Sequence, residues 1–182
     1  PDLPGDLNLT GRLSHGIILP PNARYTGILS RFDGVTESSG KAVTDSRHNT
    51  VILSGPEPQR GILEKKLADI LELKEIPGII LGGRPDKDAT MIRSGNIIYY
   101  NHLNRYAMKR IIEGSETIIA RSGYTTVMEL ISLNCSALLI PTPGQTEQEY
   151  LATHLMHKGW FSSVSQKDLN ETVMFPGIKP EW

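Results

Sequence analysis

Short runs of apolar, largely β-branched residues alternate along the chain with longer segments in which apolar residues recur at helical spacing. Polar residues, Gly or Pro bound the short runs, which is typical of strands buried on both faces of a sheet. They lie at residues 50–54, 78–83, 97–100, 117–120 and 137–141. The segments with helical spacing lie at residues 62–71, 104–113, 125–133 and 145–157. This order predicts βαβ units, and therefore an α/β fold with a Rossmann-like parallel sheet flanked by helices.

The first 40 residues lack this regularity. They are rich in Gly, Pro, Asn and Ser, and their one strand candidate is the segment 23–29. The sequence begins with Pro1 rather than Met, and its opening reads like the interior of a protein. We therefore expect the chain to be a piece of a longer protein.

Composition narrows the function classes. The formal net charge of -1 at pH 7 gives no basic excess to neutralise phosphates, so no nucleic-acid partner is expected. The one cysteine, Cys135, cannot form an internal disulfide, which fits a reducing, cytoplasmic compartment. Its place in an apolar run predicts core packing rather than a reactive thiol. No segment reaches the about 18 consecutive apolar residues of a membrane helix.

Ligands of parallel sheets bind at the carboxyl ends of the strands, so the loops after the strands are the places to examine. After the first strand, residues 54–61 lead into a helix whose free N–H groups could receive a phosphate. This loop has neither dinucleotide-binding nor P-loop spacing, and an ordinary strand-to-helix turn explains it equally well. The pair Gly82-Gly83 could likewise approach a ligand closely or simply form a turn.

The loop after the fourth strand is more informative. Ser122, Gly123, Thr125 and Thr126 place small residues and hydroxyls at a helix start, which suits an anion. Glu129 lies about one turn further along and could accept hydrogen bonds from a ribose diol. Alternatively, Thr126 and Glu129 fit a capping box with a purely structural role. The residue pattern leaves both interpretations open.

Amide and carboxylate groups crowd the loop after the fifth strand, at residues 141–150. Gln145, Gln148 and Glu149 could hold several sugar hydroxyls without transferring protons. Alternatively, this is a polar helix start in which acids are favoured by the helix dipole.

Other chemistry is weakly represented. His154 and His157 share a helix face, but no third ligand is evident, so neither a metal nor a cofactor is expected. His102 follows the third strand and could line a pocket, although a satisfied or exposed histidine fits equally. No spacing supports a Ser-His-Asp or Cys-His arrangement.

Two of these loops resemble segments of a known family. The sequence RSGYTTVMEL at residues 121–130 resembles the RSG…T…E segment of the bacterial transferases that move N-acetylglucosamine from UDP onto a lipid-linked cell-wall precursor. Residues 141–150 resemble the proline- and glutamine-rich loop that follows it in that family. Two motifs in matching order after consecutive strands are more specific than either alone, and the resemblance covers residues 23–159.

The resemblance implies the C-terminal half of a two-domain glycosyltransferase of the GT-B type. Residues 1–31 would be the end of a missing N-terminal domain and the linker, and residues 32–182 the nucleotide-sugar-binding domain. The N-terminal domain would be the partner that supplies the acceptor contacts and the catalytic base, so no catalytic residue is assigned here. Peripheral membrane association of the full-length protein is the alternative to a purely cytoplasmic location.

The resemblance also implies binding roles. Glu129 would bind the ribose, the segment around His102 and Leu103 would frame the uracil, and Arg31 would contact a phosphate. The diphosphate would face Ser54, Gly55, Ser122, Gly123, Thr125 and Thr126, and the sugar would be held by Gln145, Gln148 and Glu149. The loop at residues 56–58 departs from the family because prolines and an acid stand where glycines are usual, which weakens the expected diphosphate contact there.

The expected reaction is direct displacement at the anomeric carbon of a UDP-sugar, with UDP-N-acetylglucosamine as the donor. Helix dipoles and hydroxyls would stabilise the departing diphosphate without a metal. Two alternatives stay open. One is a UDP-sugar epimerase of the same architecture, which would turn over UDP-N-acetylglucosamine without an acceptor. The other is a non-catalytic domain that binds a nucleotide sugar.

Overall fold

A largely parallel sheet flanked by helices organises the part of the chain that the computed structural model describes, residues 2–16, 18–35, 48–84, 88 and 91–172. The strands within these ranges are β1 (His48–Ile52), β2 (Gly78–Leu81), β3 (Met91–Ser94), β4 (Ile97–Tyr100), β5 (Ser115–Ala120), β6 (Leu138–Leu139) and β7 (Ser162–Ser163). The α-helices are α1 (Gln59–Leu73), α2 (Arg105–Glu113), α3 (Tyr124–Ser132) and α4 (Thr146–His157). Short 3-10 helices at Gly5–Leu7 and Gly11–Leu13 precede them.

The strand order is β3-β4-β2-β1-β5-β6-β7. Neighbouring strands run parallel, apart from β3, which is antiparallel to β4. The carboxyl ends of the other six strands therefore meet along one edge of the sheet, which we call the carboxyl edge. The predicted α/β fold is confirmed. Among the described residues, no helix combines the length and the apolar character that crossing a bilayer would require.

Both faces of the sheet are covered, which explains the continuous apolar runs in the sequence. Successive strand residues point to opposite faces, so Val51 packs with Leu63 and Leu67 of α1 while Ile52 belongs to the cluster on the other face. The cluster that contains Ile52 also holds apolar side chains of α2, α3 and α4, including Leu151. The sheet is thus sandwiched between α1 and the other three helices.

Two strands were missed by the sequence prediction. In β3, Met91 and Ile92 are exposed, so the burial that marks the other strands is lacking. Only Gly95 and Asn96 separate β3 from β4, and such a Gly-Asn pair between two strands is a hairpin signal. The other missed strand, β7, is two serines long and carries no apolar run.

The strand predicted at residues 23–29 is wrong. Within it, Gly27 forms an isolated bridge with Asp2, and the rest is irregular. Gly27 has a φ of 79°, a left-handed conformation that interrupts an extended strand.

The segment 2–16 is organised around a buried carboxylate and lies on α4. Asp2 is fully buried and accepts hydrogen bonds from the backbone N–H groups of Leu3, Leu9 and Thr10, at 2.7, 2.8 and 3.1 Å. The backbone N–H of Arg12 donates to the hydroxyl of Tyr150 at 2.9 Å, and its guanidinium lies over the same ring. The predicted division into residues 1–31 and 32–182 stays a prediction, and parts of both segments lie outside the described residues.

Candidate functional site

Buried polar atoms without a partner gather at the carboxyl edge. Most buried polar groups in proteins are hydrogen-bonded, so each exception needs an explanation. Within the described residues, five such atoms lie one to three positions after a parallel strand. They are Arg84 Nε after β2, His102 Nδ1 after β4, Arg121 Nε after β5, Thr142 Oγ1 after β6 and Gln166 Oε1 after β7. This edge therefore has hydrogen-bonding capacity that the described protein does not use, which is expected of a ligand site.

The start of α3 is open. Gly123 is its N-cap residue, and a glycine has no side chain that could cap the first N–H groups of the helix. Gly123 has a φ of -71°, and a Cβ at this position would meet no atom of the described residues within 4 Å. The fold therefore does not require glycine at this position. Thr125, which is exposed, and Thr126, which is half-buried, lie in the first turn.

Glu129 is paired with the arginine that the resemblance placed near a phosphate. Arg31 Nε and Nη2 donate to the two carboxylate oxygens of Glu129 at 2.6 and 2.8 Å. The Glu129 side chain is 6% exposed and that of Arg31 is 48% exposed. The capping-box alternative is wrong, because Gly123 rather than Thr126 is the N-cap and both oxygens of Glu129 bind Arg31.

Hydrogen bonds join the loops after β5 and β6. The buried Ser122 hydroxyl donates to the backbone oxygen of Gln148 at 2.8 Å. The Gln148 side chain accepts from the N–H of Thr142 at 3.0 Å and donates to Gln145 Oε1 at 2.6 Å. The structure thus brings together Ser122, Gln145 and Gln148, which the sequence assigned to two separate loops. The Ser122 side chain links these loops instead of pointing into solvent.

Glu149 points away from this group. Its carboxylate accepts from the backbone N–H of Gly144 at 3.1 Å and is exposed. The predicted sugar-binding residues therefore lie on two sides of the loop at residues 141–145.

Arg121 is a residue of the candidate site that sequence reasoning missed. It is fully buried, and its guanidinium donates to three backbone oxygens: Ile140 at 3.2 Å, Pro141 at 3.1 Å and Gln59 at 2.9 Å. Burial lowers its pKa to about 10, which leaves it charged at neutral pH. The signal in the sequence was an arginine directly after the apolar residues of β5. Arg121 fixes the loop after β6 against the start of α1.

The loop after β1 contributes a second buried arginine. Arg60 contacts Glu57, and it donates to Glu64 at 2.8 Å and to the backbone oxygen of Gly82 at 3.1 Å. Ser54 is half-buried and Gly55 is exposed, with a φ of 93°. A Cβ on Gly55 would lie 3.8 Å from Thr142 Oγ1, so the loops after β1 and β6 approach each other.

The residues predicted at the uracil lie further along the same edge. His102 and Leu103 lie two and three residues after the end of β4, and β2 and β1 separate this strand from β5. Leu103 packs against the apolar core, whereas His102 Nδ1 has no partner among the described residues. They are therefore at the opposite end of the candidate site from Gln148.

His154 and Gly83, two further candidates from the sequence, have structural explanations. His154 stacks on Tyr150, and burial followed by the charge of Lys158 lowers its pKa. Within the described ranges, no group of three or more His, Cys, Asp or Glu side chains could hold a metal ion. A Cβ on Gly83 would lie 2.4 Å from the backbone oxygen of Leu53, so the protein backbone itself accounts for this glycine.

The chain is similar in sequence to known glycosyltransferases. The family model described as the glycosyltransferase family 28 C-terminal domain matches residues 68–179. The UDP-N-acetylglucosamine--N-acetylmuramyl-(pentapeptide) pyrophosphoryl-undecaprenol N-acetylglucosamine transferase of Sulfurihydrogenibium sp. is 21% identical over 152 residues, which cover 82% of this chain and 43% of that protein. The chain spans less than half the length of the curated relatives it matches.

Solved structures share the fold. The glycotransferase of kitacinnamycin superimposes with a TM-score of 0.58 at 12% identity, over 81% of this chain and 37% of that one. MurG of Acinetobacter baumannii superimposes with a TM-score of 0.52 at 21% identity, over 70% of this chain and 39% of that one. The architecture is that of the C-terminal domains of GT-B glycosyltransferases.

Proposed function

The chain belongs to the glycosyltransferase family 28 C-terminal domains, and from this premise we propose that it is the donor-binding half of a transferase that takes a hexosyl group from a UDP-sugar. UDP-N-acetylglucosamine is the expected donor, because the Sulfurihydrogenibium relative is named for transfer from that compound. An acceptor receives the hexosyl group, and UDP leaves.

The open start of α3 is the observation that carries the proposal. A helix N-terminus attracts anions because its first N–H groups are free and the helix dipole places partial positive charge there. Gly123 leaves space in front of these groups and has no side chain of its own to cap them. The donor diphosphate occupies this space, with the hydroxyls of Thr125 and Thr126 beside it.

Glu129 binds the ribose of the donor. Its carboxylate offers two acceptor oxygens for the ribose diol, and in this structure both accept hydrogen bonds from Arg31. Donor binding therefore displaces Arg31 from Glu129. Because its side chain is 48% exposed, Arg31 is free to turn towards the negative diphosphate.

The rest of the donor extends to both sides of α3 along the carboxyl edge. On the β4 side, His102 and Leu103 frame the uracil. On the β6 side, the amides of Gln145 and Gln148 bind hexose hydroxyls, and Glu149 binds the hexose from the outer side of the loop. Ser54 and Gly55 complete the phosphate side.

The transfer itself is a displacement at the anomeric carbon. The bond from this carbon to the diphosphate oxygen breaks as the bond to the acceptor oxygen forms, and the acceptor proton passes to a base. The α3 dipole stabilises the negative charge that develops on the diphosphate. A preceding domain of the full-length protein supplies the base and the acceptor contacts.

The cellular location that we propose for the protein rests on the same relative. The Sulfurihydrogenibium relative is named for an undecaprenol-linked acceptor, which is a lipid. We expect this domain to act in the cytoplasm, with the full-length protein associated peripherally with a membrane when its acceptor is of the same kind.

Calorimetric titration of this chain with UDP tests the proposal directly. We expect Glu129→Ala to weaken UDP binding about tenfold, which corresponds to about 1.4 kcal/mol. The matched control is Glu116→Ala, because Glu116 is an exposed glutamate near the opposite, amino end of β5. Circular dichroism should show that both variants fold. Absence of UDP binding by the unmodified chain at millimolar UDP would overturn the nucleotide site.

A further inference from the structure

A cavity lies beyond the predicted sugar-binding loop, at the β7 end of the carboxyl edge. Its volume is about 500 Å³, within the range of roughly 300–1,000 Å³ that small-molecule sites occupy. Pro141 and Pro143 form one wall, Glu149 and Thr153 of α4 form the second, and residues 163–167 form the third. The Glu149 side chain is thus shared between the predicted sugar site and this cavity.

The third wall is held in place by the rest of the domain. The N–H of Val164 donates to the backbone oxygen of Leu139 at 3.1 Å, which continues the pairing of β7 with β6. The side chain of Gln166 donates to Gln59 Oε1 at 3.0 Å, and Lys66 donates to the backbone oxygen of Gln166 at 3.0 Å. The cavity is therefore formed before any ligand arrives.

Gln166 holds an unused acceptor buried beside the cavity. The residue is 8% exposed and lines the cavity, yet its Oε1 has no hydrogen-bond partner among the described residues. A buried acceptor without a donor is unfavourable, and a hydroxyl or amide N–H from a ligand would correct this after a small shift of the side chain.

The balance of charge and apolar surface identifies the chemical class of the ligand. The lining holds one carboxylate, Glu149, and one ammonium group, Lys167, so it favours a neutral ligand over an anion. The hydroxyl of Ser163 adds a further polar contact, while Pro141 and Val164 offer apolar surface. A sugar ring combines such features, since it has C–H faces and a rim of hydroxyl groups.

The place of the cavity in the strand order gives its role. Along the carboxyl edge, the proposed uracil site lies at β4, the diphosphate site at β5 and the hexose site at the loop after β6. The cavity at β7 is next in this series, on the side of the hexose away from the nucleotide. We propose that it is a saccharide subsite, which takes either the outer part of the donor hexose or a sugar ring of the acceptor. Its relation to the hexose rests on the proposed function.

The test fills the cavity with a large side chain. Thr153→Trp is suitable because Thr153 is exposed on α4 and lines the cavity, and Trp and Thr have similar helix propensities. The matched control is Glu72→Trp, on the exposed side of α1. Each protein is titrated with UDP, UDP-N-acetylglucosamine and free N,N′-diacetylchitobiose.

The three ligands distinguish the two sources of the sugar. If the donor hexose enters the cavity, Thr153→Trp weakens UDP-N-acetylglucosamine binding at least about tenfold and leaves UDP binding unchanged. If an acceptor sugar enters, the variant loses disaccharide binding and keeps its affinity for both nucleotides. Equal binding of all three ligands by Thr153→Trp and the unmodified chain overturns the subsite. Failure of the unmodified chain to bind UDP refutes the proposed function instead, and the disaccharide still reports on the cavity.

Nuclear magnetic resonance provides a measurement that needs no variant. The amide signals of Thr153 and Lys167 should shift when the sugar-containing ligand that occupies the cavity is added. If neither UDP-N-acetylglucosamine nor the disaccharide shifts them, the subsite is also refuted.

Discussion

The β1–β2 half of the carboxyl edge and its β5–β6 half each contain a buried arginine and a glycine near a strand end. In the β1–β2 half, the protein's own contacts explain both residues. Arg60 binds the carboxylates of Glu57 and Glu64, and Gly83 is a glycine because a Cβ would lie 2.4 Å from the backbone oxygen of Leu53.

In the β5–β6 half, the protein's own contacts do not fully explain the corresponding residues, Arg121 and Gly123. Arg121 binds three backbone oxygens and no carboxylate, and its Nε has no partner among the described residues. Gly123 has room for a Cβ and an ordinary negative φ. The comparison indicates that Arg60 and Gly83 are explained by the protein's own contacts, whereas Arg121 keeps an unused donor and Gly123 leaves open space.

The largest effect on the free energy of unfolding should come from Arg121→Met. The change leaves the backbone oxygens of Gln59, Ile140 and Pro141 without their donor. The bond to Ile140 is buried and the other two are partly buried, and a buried acceptor left unpaired costs about 1–3 kcal/mol, so the free energy of unfolding should fall by about 3 kcal/mol. Urea unfolding followed by circular dichroism measures this, with the exposed Arg105→Met as the control. A loss below about 1 kcal/mol would show that Arg121 does not hold these loops.

The next largest difference between the two halves should appear when Gly83 and Gly123 are each replaced by alanine and the free energy of unfolding and the affinity for UDP are measured. Gly83→Ala meets a left-handed φ of 62° as well as the Leu53 backbone, and should lower the free energy of unfolding by about 2–4 kcal/mol. Gly123→Ala should change it by less than about 1 kcal/mol, because its backbone conformation suits alanine. The same Gly123→Ala variant should bind UDP at least about tenfold more weakly, because the methyl group occupies the space in front of α3. If both variants are stable and bind UDP equally well, the contrast between the two glycines is wrong.

Arg60→Met should lower the free energy of unfolding less than Arg121→Met does. Glu57 is 58% exposed and returns to water, and Glu64 keeps its contact with Arg84 at 2.9 Å. The backbone oxygen of Gly82 is the buried acceptor that loses its donor, so we expect a loss of about 1–2 kcal/mol. The same urea experiment compares the two arginines. A greater loss for Arg60→Met than for Arg121→Met would reverse the assignment of the halves.

The smallest effect is predicted for the thiol of Cys135, which lies at the amino end of the β5–β6 half, away from the proposed ligand site. Burial, and then the charge of Glu113, raises the pKa of the Cys135 thiol from 9.0 to about 11. Alkylation by iodoacetamide should therefore stay slow at pH 9 in the folded chain and accelerate towards pH 11. Because the folded pKa is the higher one, the stabilisation from this thiol is present below pH 9 and is lost as the pH rises through 11. Rapid alkylation at pH 8 in the folded chain would contradict the burial, and the urea-unfolded chain provides the control.

The elements that the sequence predicted are those whose side chains are buried on a regular period. The strands β1, β2, β4 and β5 have apolar runs because helices cover both faces, and helical spacing located α1 to α4 within a few residues. The same signal is lacking in β3, whose residues are exposed, and in the two serines of β7. At residues 23–29 a strand-like pattern was present, but the left-handed Gly27 prevented a strand.

The site was predictable to the extent that its residues are neighbours in the sequence. The motif at residues 121–130 identified the start of α3, and the loop at residues 141–150 identified Gln148. The role of Arg121 was not visible, because its partner Gln59 lies 62 positions away and is contacted through a backbone oxygen. The pairing of Arg31 with Glu129 spans 98 positions and required the fold.

The docking of the segment 2–16 on α4 has a mechanical consequence. Arg12 is bound to Tyr150, and Lys158, directly after α4, donates to the backbone oxygen of Asp6 at 2.5 Å. Because these hydrogen bonds attach the segment 2–16 to α4, a force applied at Asp2 is transmitted to that helix. The same helix carries Gln148 near its start, so a force applied at Asp2 would also reach the loop that we propose to bind the sugar.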